Sequence, residues 1–409
     1  MTTVIKSQNA VSEAQYFYPT QNKRFYKISK NYPSSDPKTI QFDVYSQPLS
    51  TDTSASYDID FSGATVEIIS GNGVINGSTV NIAHTTEHTV LKVTITNRNY
   101  ALMQFDVNNL VVTNVIADEA FIDYALNDVQ TSDLYGLLKD QQNINPDVSF
   151  WNTSKVESLT AFAQNAYRFN ADIAKWNVSN VKFFDGTFQK AKKFNPDIGN
   201  WDVSSGVAFN SMLEATEEFN RYLNWNMSNA TNVSSMFRYS KKYNQPVNHL
   251  NWSNVVMAEA VFANTDAFNQ EVNNLNVSNV VSLALIFYAA KSFNHQVNNW
   301  SIQKCQNAVS AFCDAPLFNQ DLSAWCAKFN TEVLLYNFLD GAASFSTANA
   351  DAFLNAFWLD FNTTRKAQWA SRLAPKVLGM RAVNYTVAGE SALNNLIAAG
   401  WTITIGSKV

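Results

Sequence analysis

One pattern of apolar and polar positions recurs through the middle of the chain about every 25 residues. It begins with an aromatic residue followed by Asn, and this pair stands at positions 169, 194, 219, 243, 268, 293 and 318, with Ile144-Asn145 in the same place upstream. Large apolar residues follow four, seven, nine and twelve positions later, and in most repeats a Phe stands six before the next pair. A period of this length predicts stacked repeats, each of which buries one side against its neighbours.

The Asn of this pair is the one position that never varies among the eight repeats. One repeat is a residue short, and the place of Trp225 puts the deletion between Asn220 and Trp225. An Asn side chain donates and accepts at once, so it can bond the backbone of adjacent repeats. The sequence therefore predicts a structural ladder, not a ligand site, for the Asn residues at 145, 170, 195, 220, 244, 269, 294 and 319.

Upstream, between Lys38 and about Asn114, the apolar period changes to two, which predicts an antiparallel β-sandwich over 38–114. Asn76-Gly77 fits a two-residue hairpin turn within it. Residues 1–37 are predicted as an N-terminal arm, which either docks on another protein or straps its own domain. The candidate docking residues of this arm are Tyr16, Phe17, Tyr18, Phe25 and Tyr26.

Helical spacing appears at both ends of the repeats. Residues 115–143 are predicted as a helical cap on the first repeat, and 144–342 as eight repeats. Residues 343–409 are predicted as an α/β cap, in which Ser346 caps one helix, Gly400 stops another and 401–405 form a strand.

Composition narrows the classes of partner. Charged residues make up only 15% of the chain and the net charge is -5, so it lacks the basic face that nucleic acids and anionic membranes require. No apolar run reaches the roughly 18 residues of a membrane span. The first residues do not read as a secretion signal, so we expect a protein that stays inside the cell, is released by lysis or is shown in mature form. Three cysteines exclude a disulfide scaffold.

Two motifs with catalytic spacing also have structural explanations. His84-Thr85-Thr86-Glu87-His88 has the spacing of a zinc hydrolase motif but lies between two predicted strands, where the required helix does not fit. Carboxylates three residues after the aromatic residue either face water, hold a cation or act in pairs on glycosidic bonds; they are Asp147, Asp172, Asp197, Glu271 and Asp321. We predict no catalytic residue, no metal site, no cofactor and no enzymatic activity.

Amide side chains are concentrated two, three, five and six positions after the aromatic residue, where they are predicted to point outward. Amides suit hydrogen bonding to sugars or to another protein, and they equally suit a solvated face that avoids unpaired strand edges. The candidate ligand-binding residues are Gln245, Asn248, His249, Gln270, Asn273, Asn274, His295, Gln296, Asn298 and Asn299, and Gln320 continues the series.

Two stretches carry resemblances to known families. Residues 70–95 resemble bacterial and phage immunoglobulin-like modules. The unit Phe-Asn-x-Asp-Ile-x-x-Trp-Asn-Val-Ser-Asn-Val, from Phe169 to Val181, resembles the repeat of the BspA-like surface proteins, which are relatives of leucine-rich-repeat proteins. This resemblance implies a right-handed solenoid used for adhesion or recognition, without enzymatic activity. The expected fold is mixed β and α/β: an antiparallel β-sandwich followed by a right-handed leucine-rich-repeat-like solenoid with helical caps.

These features favour a non-enzymatic bacteriophage virion protein, such as a fibre, decoration or receptor-binding component. Its expected partners are other virion proteins, through the N-terminal region, and a host surface glycan or protein. We expect no nucleic acid or membrane partner, and whether the protein forms a homo-oligomer is left open. The expected location is the virion surface. A bacterial cell-surface adhesin, extracellular or on the cell surface, is the alternative, and a polysaccharide depolymerase using the acidic column is a third hypothesis.

Overall fold

The computed structural model describes nine N-terminal strands with the turns at Gly71 and Gly77, residues 134–136, 138–140, 142, 145, 148 and 149, and all of 153–409. The aromatic residues predicted at 16–18, the stretch 118–133 of the predicted helical cap and the motif at 84–88 lie outside the described residues, as do the side chains of Phe25 and Tyr26. The chain divides into two compact units. Unit 1 is Met1–Val181 with Ala191–Trp201, and unit 2 is Lys182–Lys190 with Asp202–Val409.

Unit 1 contains two antiparallel sheets. Their strands are β1 (Lys23–Ser29), β2 (Lys38–Ser46), β3 (Ser56–Ser62), β4 (Thr65–Ser70), β5 (Gly73–Asn76), β6 (Thr79–Ala83), β7 (Thr89–Ile95), β8 (Tyr100–Asp106) and β9 (Leu110–Ala117). One sheet has the order β1-β8-β3-β6-β5 and the other β4-β7-β2-β9. The predicted alternation therefore forms strands, while the face-to-face packing of a sandwich stays a prediction.

Three local boundaries differ from the sequence predictions. The predicted arm contains β1, which pairs with β8, for example Tyr26 with Met103; its aromatic and β-branched residues are types that favour a strand. The predicted helical cap begins with strand instead, because β-branched residues run through β9 up to Ala117, which pairs with Ile40. In the β5-β6 hairpin Asn76 pairs with Thr79, so the loop begins at Gly77, at φ 63°, one residue later than the predicted Asn76-Gly77 turn.

Successive repeats of unit 2 lie side by side in parallel. Single bridges join Phe183, Ala208, Asn232, Met257, Ser282, Asn307 and Leu334, each to the next. Alternate backbone amides then continue the pairing, as in Ala260 N to Ala284 O at 2.8 Å and Phe262 N to Ile286 O at 3.0 Å. The stretches that follow each bridge thus satisfy their backbone groups in the neighbouring repeat.

The predicted inward columns are buried, as the period of the sequence requires. In unit 2 the residue four positions after the aromatic is fully buried in each repeat: Leu223, Val247, Val272, Val297 and Leu322. The aromatic residues themselves stack with centroids 5.9 to 6.2 Å apart. The buried Trp300 and Trp325 satisfy their N–H groups on the preceding repeat, since Trp300 Nε1 donates to Val272 O and Trp325 Nε1 to Val297 O, both at 2.9 Å. The core is therefore continuous from one repeat to the next within unit 2.

The C-terminal segment of unit 2 contains helices and a small parallel sheet. Its elements are α1 (Ser323–Cys326), α2 (Thr347–Leu359), a π-helical turn (Asp360–Thr364), α3 (Lys366–Ala370), β10 (Val377–Met380), α4 (Val387–Ala398) and β11 (Thr402–Ile405). Ser346 accepts a hydrogen bond from Asn349 N at 3.2 Å, so the predicted N-cap is confirmed. The predicted stop at Gly400, at φ 91°, and the strand after it are confirmed as well.

This segment also covers the last repeat. Leu378 of β10 pairs in parallel with Leu335, and β11 pairs with β10. The buried Arg372 donates to the carbonyl oxygens of Thr331 and Val333, groups for which no further repeat supplies a donor. The predicted α/β cap therefore closes the repeats by satisfying their backbone groups as well as by covering apolar surface.

Candidate recognition surfaces

The invariant Asn residues form the predicted ladder. In unit 2 the Oδ1 of each accepts the backbone N–H of the next, from Asn220 through Asn244, Asn269, Asn294 and Asn319 to Ser346, over 2.8 to 3.0 Å. In unit 1 the same bonds join Asn145, Asn170 and Asn195. The side chains lie at the edge of the core and not inside it, since Asn220, Asn269 and Asn294 are exposed. The column is structural, as predicted.

Several amides of the predicted ligand surface belong to the same framework. Gln245 Nε2 donates to Asn220 Oδ1 at 3.0 Å, and Gln270 Nε2 donates to Asn244 Oδ1 at 2.9 Å. A second row lies beside the first, because Asn248 Oδ1 accepts Asn274 N and Asn273 Oδ1 accepts Asn299 N, at 2.8 and 3.0 Å. These bonds hold the repeats in register, and they fix the remaining donors and acceptors at regular intervals.

The remaining candidates lie on the same three repeats. His249 Nε2 is 2.7 Å from Leu223 O, and His295 Nε2 is 3.1 Å from Asn269 O. Gln296 and Asn299 are exposed, while Asn298 is half-buried. We call the ten residues from Gln245 to Asn299 that the sequence singled out the amide face. The structure places them on three adjacent repeats of one unit, where hydrogen bonds join Asn248 to Asn274 and Asn273 to Asn299.

One aromatic residue completes this face, and the sequence did not single it out. Tyr222 is 47% exposed, and its ring stacks on that of His249 with centroids 5.0 Å apart and planes 29° apart. Tyr222 stands three residues after Phe219, a position that holds Asp197 in the preceding repeat, Pro246 in the next and Glu271 in the one after that. The departure of a Tyr from this acidic column was the available signal. Tyr222 and His249 together form an exposed two-ring platform at the edge of the amide face.

The acidic column has a structural explanation in three of its members. Asp172, Asp197 and Asp321 each accept, through Oδ1, the backbone N–H two residues on, at 2.8 to 3.0 Å. Such bonds close turns at which the chain changes direction. Glu271 is exposed, and Asp147 lies outside the described residues.

Metal-binding clusters and membrane-spanning helices are two further features that would define the class of site. Within the described ranges, no group of three or more His, Cys, Asp or Glu residues is arranged to hold a metal ion. Over the same ranges, no helix combines the length and the apolar character needed to cross a bilayer.

Comparison with known families agrees with the repeat geometry. The chain matches the model of a family described as "Mycoplasma protein of unknown function, DUF285", over residues 132–248 and again over 222–325. This family is BspA-like, so the resemblance of the repeats to BspA-like proteins is confirmed at that level. No curated protein matches the chain, and no solved structure does.

Proposed function

We propose that the protein is a non-enzymatic recognition protein whose amide face, together with the platform of Tyr222 and His249, binds a carbohydrate on a cell surface. The observation that carries this proposal is the exposed ring pair, with centroids 5.0 Å apart, beside rows of regularly spaced amides. We further propose that the repeats wind as a right-handed solenoid and that the two N-terminal sheets pack as a sandwich.

The chemistry of this face suits a sugar. An aromatic ring offers a flat apolar surface to the C–H face of a pyranose, and amides donate and accept hydrogen bonds to its hydroxyl groups. The Oδ1 atoms of Asn248 and Asn273 are engaged in the framework, which orients the Nδ2 groups of the same side chains. Such preorganised donors lose little conformational entropy on binding, and this favours affinity.

The setting is the second part of the proposal. We propose a bacteriophage particle, to which the N-terminal sheets attach the repeats. A bacterial cell surface is the alternative, and the matched family favours it, because its description refers to Mycoplasma proteins. Mass spectrometry of purified particles and of the bacterial surface fraction distinguishes the two settings. Peptides of this chain in particles support the first, and peptides only in the surface fraction contradict it.

Binding is tested with the full chain on an array of bacterial surface glycans, followed by calorimetry on any glycan retained. Tyr222→Ala should weaken binding at least about tenfold, because the variant removes the ring on which the sugar rests. Tyr239→Ala is the matched control, since Tyr239 is also an exposed tyrosine but is not a member of the amide face or of the two-ring platform. Equal effects of the two variants, or retention of no glycan, would contradict the proposal, and turnover of a retained glycan would support the depolymerase hypothesis instead.

A further inference from the structure

The strand β11 (Thr402–Ile405) is the last rung of the parallel backbone pairing that runs through unit 2. The pairing passes from the repeats to β10 through the bridge of Leu335 with Leu378, and β11 then pairs with β10 on the other side. The strand β10 therefore has a neighbour along both of its edges. In contrast, β11 has a neighbour along one edge only.

The outer edge of β11 carries unpaired backbone groups. Thr402 N donates to Lys376 O at 2.8 Å, and the register places Thr404 the same way round, because alternate residues of a strand direct their backbone groups to the same side. The N–H and C=O groups of Ile403 and Ile405 consequently point away from β10. Within residues 153–409, none of these groups has a hydrogen-bond partner. Such a row is a template on which another strand can pair.

The sequence of β11 lacks the features that protect a sheet edge. Proteins prevent pairing at an edge with Pro, with charged side chains or with bulges. β11 reads Thr-Ile-Thr-Ile, so all its residues are β-branched and favour a strand, and its register with β10 is regular. The two threonines are exposed and the two isoleucines are half-buried. The strand thus stays in contact with solvent along its length and carries no charge.

Two lysines belong to the backbone around β11, and both are engaged. Lys376 Nζ donates to Ala399 O at 2.9 Å. Lys408, which follows the strand, pairs through Nζ with Glu390 Oε1, also at 2.9 Å. Because the first ammonium group is bound to a carbonyl and the second is balanced by a carboxylate, neither guards the open edge.

We propose that β11 pairs with β11 of a second copy of this chain, antiparallel and across a twofold axis at Thr404. In this register Ile403 of each copy lies opposite Ile405 of the other, and each such pair exchanges the backbone bonds that the single chain leaves unmade. The isoleucines of both copies share one face, and the two Thr404 side chains meet on the other face.

A second copy is favoured over a foreign strand because β11 complements itself. The twofold axis brings outward backbone groups onto outward groups, Ile onto Ile and Thr onto Thr, without opposing like charges. The pair also continues, by one more strand, the backbone pairing that already joins the repeats to β10 and β11. This interface does not depend on the proposed carbohydrate binding.

Sedimentation velocity of the full chain over a range of concentrations tests the dimer. Because each copy contributes only one short strand, we expect a weak association, with a dimer fraction that grows between about 1 and 200 µM. Hydrogen exchange of the Ile403 and Ile405 amides should slow over the same range, since pairing protects them. A chain that stays monomeric up to about 200 µM would overturn the proposal.

Charges placed at the twofold axis test the register. Thr404→Lys and Thr404→Glu should each weaken the dimer at least about tenfold, because each places like charges directly opposite one another. An equimolar mixture of the two variants should dimerise again, since it places opposite charges there. Thr402→Lys is the matched control on the same strand. In this register Thr402 lies opposite Gly406 of the second copy and roughly 14 Å from its own counterpart, so the affinity should change less than about threefold.

Ile403→Pro tests the edge without adding a charge. The N–H that it removes points outward, so the monomer keeps its hydrogen bonds, while the ring blocks a second strand and should weaken the dimer at least about tenfold. Thermal melts check that each variant is folded. A dimer that survives both Thr404→Lys and Ile403→Pro would refute the pairing, and so would a mixture of the two Thr404 variants that stays monomeric.

Discussion

The most unusual residues of the repeats are those with left-handed backbone conformation but no glycine. In unit 2 they recur twice in most repeats, four residues apart, as in Ser211 and Ala215 at φ 55° and 56° and Ala260 and Asn264 at φ 54° and 58°. Each costs about 1 kcal/mol relative to glycine in the same conformation. The backbone bonds to both neighbouring repeats hold these residues there, because any other conformation would leave buried groups unpaired.

Ala215→Gly should therefore stabilise the protein, by about 0.5 to 1 kcal/mol, because relief of the left-handed strain exceeds the entropic cost of glycine. Gly341, at φ 73°, already occupies the same position in the last repeat. Ala215→Val should destabilise it by more than that amount, since a β-branched side chain tolerates this region least. Thermal unfolding of the two variants gives the comparison, and a lower midpoint for the glycine variant would show that the strain is not real.

Cys305 gives the fold a sensitivity to alkali. It fills the buried column that Val255 and Val280 occupy in other repeats, and burial raises the pKa of its thiol from 9.0 to about 11. A raised folded-state pKa means that the stabilisation is complete below the unfolded value and is lost as the pH rises from 9 towards 11, by up to about 2 to 3 kcal/mol.

Cys305→Val should remove this contribution. We expect the variant to be as stable as the parent at pH 7 and more stable at pH 10.5, as measured by urea unfolding at both values. The parent and the variant should both lose further stability at high pH, because each also contains the buried thiols of Cys313 and Cys326. The comparison therefore rests on the difference between the two proteins. A difference that does not change with pH would contradict the assignment.

Some residue-level features of the repeats could be predicted from the sequence, and others could not. The buried columns could be predicted because burial demands apolar residues at fixed offsets, and the Asn ladder because no other position is invariant. The left-handed residues could not, since Ala, Ser and Leu carry no signal for that conformation. Tyr222 was missed because its stacking partner His249 belongs to the next repeat, and only the register between repeats brings the two rings together.

The Asn ladder behaves as a structural element in its own right. Asn269→Ala should cost about 1 kcal/mol, because it leaves the Asn294 N–H without its acceptor, the Oδ1 at 2.9 Å. Asn269→Asp keeps an acceptor in that place and should cost clearly less at pH 7. Urea unfolding midpoints distinguish the two variants; equal losses would mean that the donor of this side chain, and not its acceptor, matters.

The C-terminal cap depends on one buried cation. Arg372 donates to the carbonyl oxygens of Thr331, Val333 and Pro375, and its guanidinium lies 5.7 and 5.3 Å from the ring centroids of Trp369 and Trp401. Arg372→Met should destabilise the protein by about 2 to 4 kcal/mol, because it leaves buried carbonyls unpaired. Arg381→Met is the control, since that side chain is 74% exposed, and its cost should stay below about 1 kcal/mol.

Strand boundaries were the weaker part of the prediction for these elements. The predicted arm and helical cap each overlap a strand, β1 and β9, that pairs at the edge of its sheet. An edge strand pairs on one side only, so its pattern in the sequence is weak. In the prediction, the Pro-rich stretch after β1 and the helical pattern after β9 therefore outweighed it. The cap helix at Ser346 was predicted correctly because its signal is local.

The whole chain shows how far periodicity extends and where it stops. The repeats follow from their spacing, and the family match falls on that same part of the chain, over 132–248 and 222–325. The proposed carbohydrate surface does not follow from spacing, because Tyr222 departs from the acidic column of the repeats.

The contacts between repeats, of which the Asn ladder is one, also determine how unit 2 should respond to a mechanical load. Each Asn rung and each backbone bond joins only two neighbouring repeats, so tension applied along the stack loads the interfaces in series and the weakest gives way first. A released repeat of about 25 residues adds roughly 80 Å of extended chain. Stretching the protein between two handles in an optical trap should therefore produce a sawtooth of small, equal extensions, and a single large step would mean that the repeats yield together. A stack that lengthens in this way would absorb a pull in stages instead of unfolding all at once.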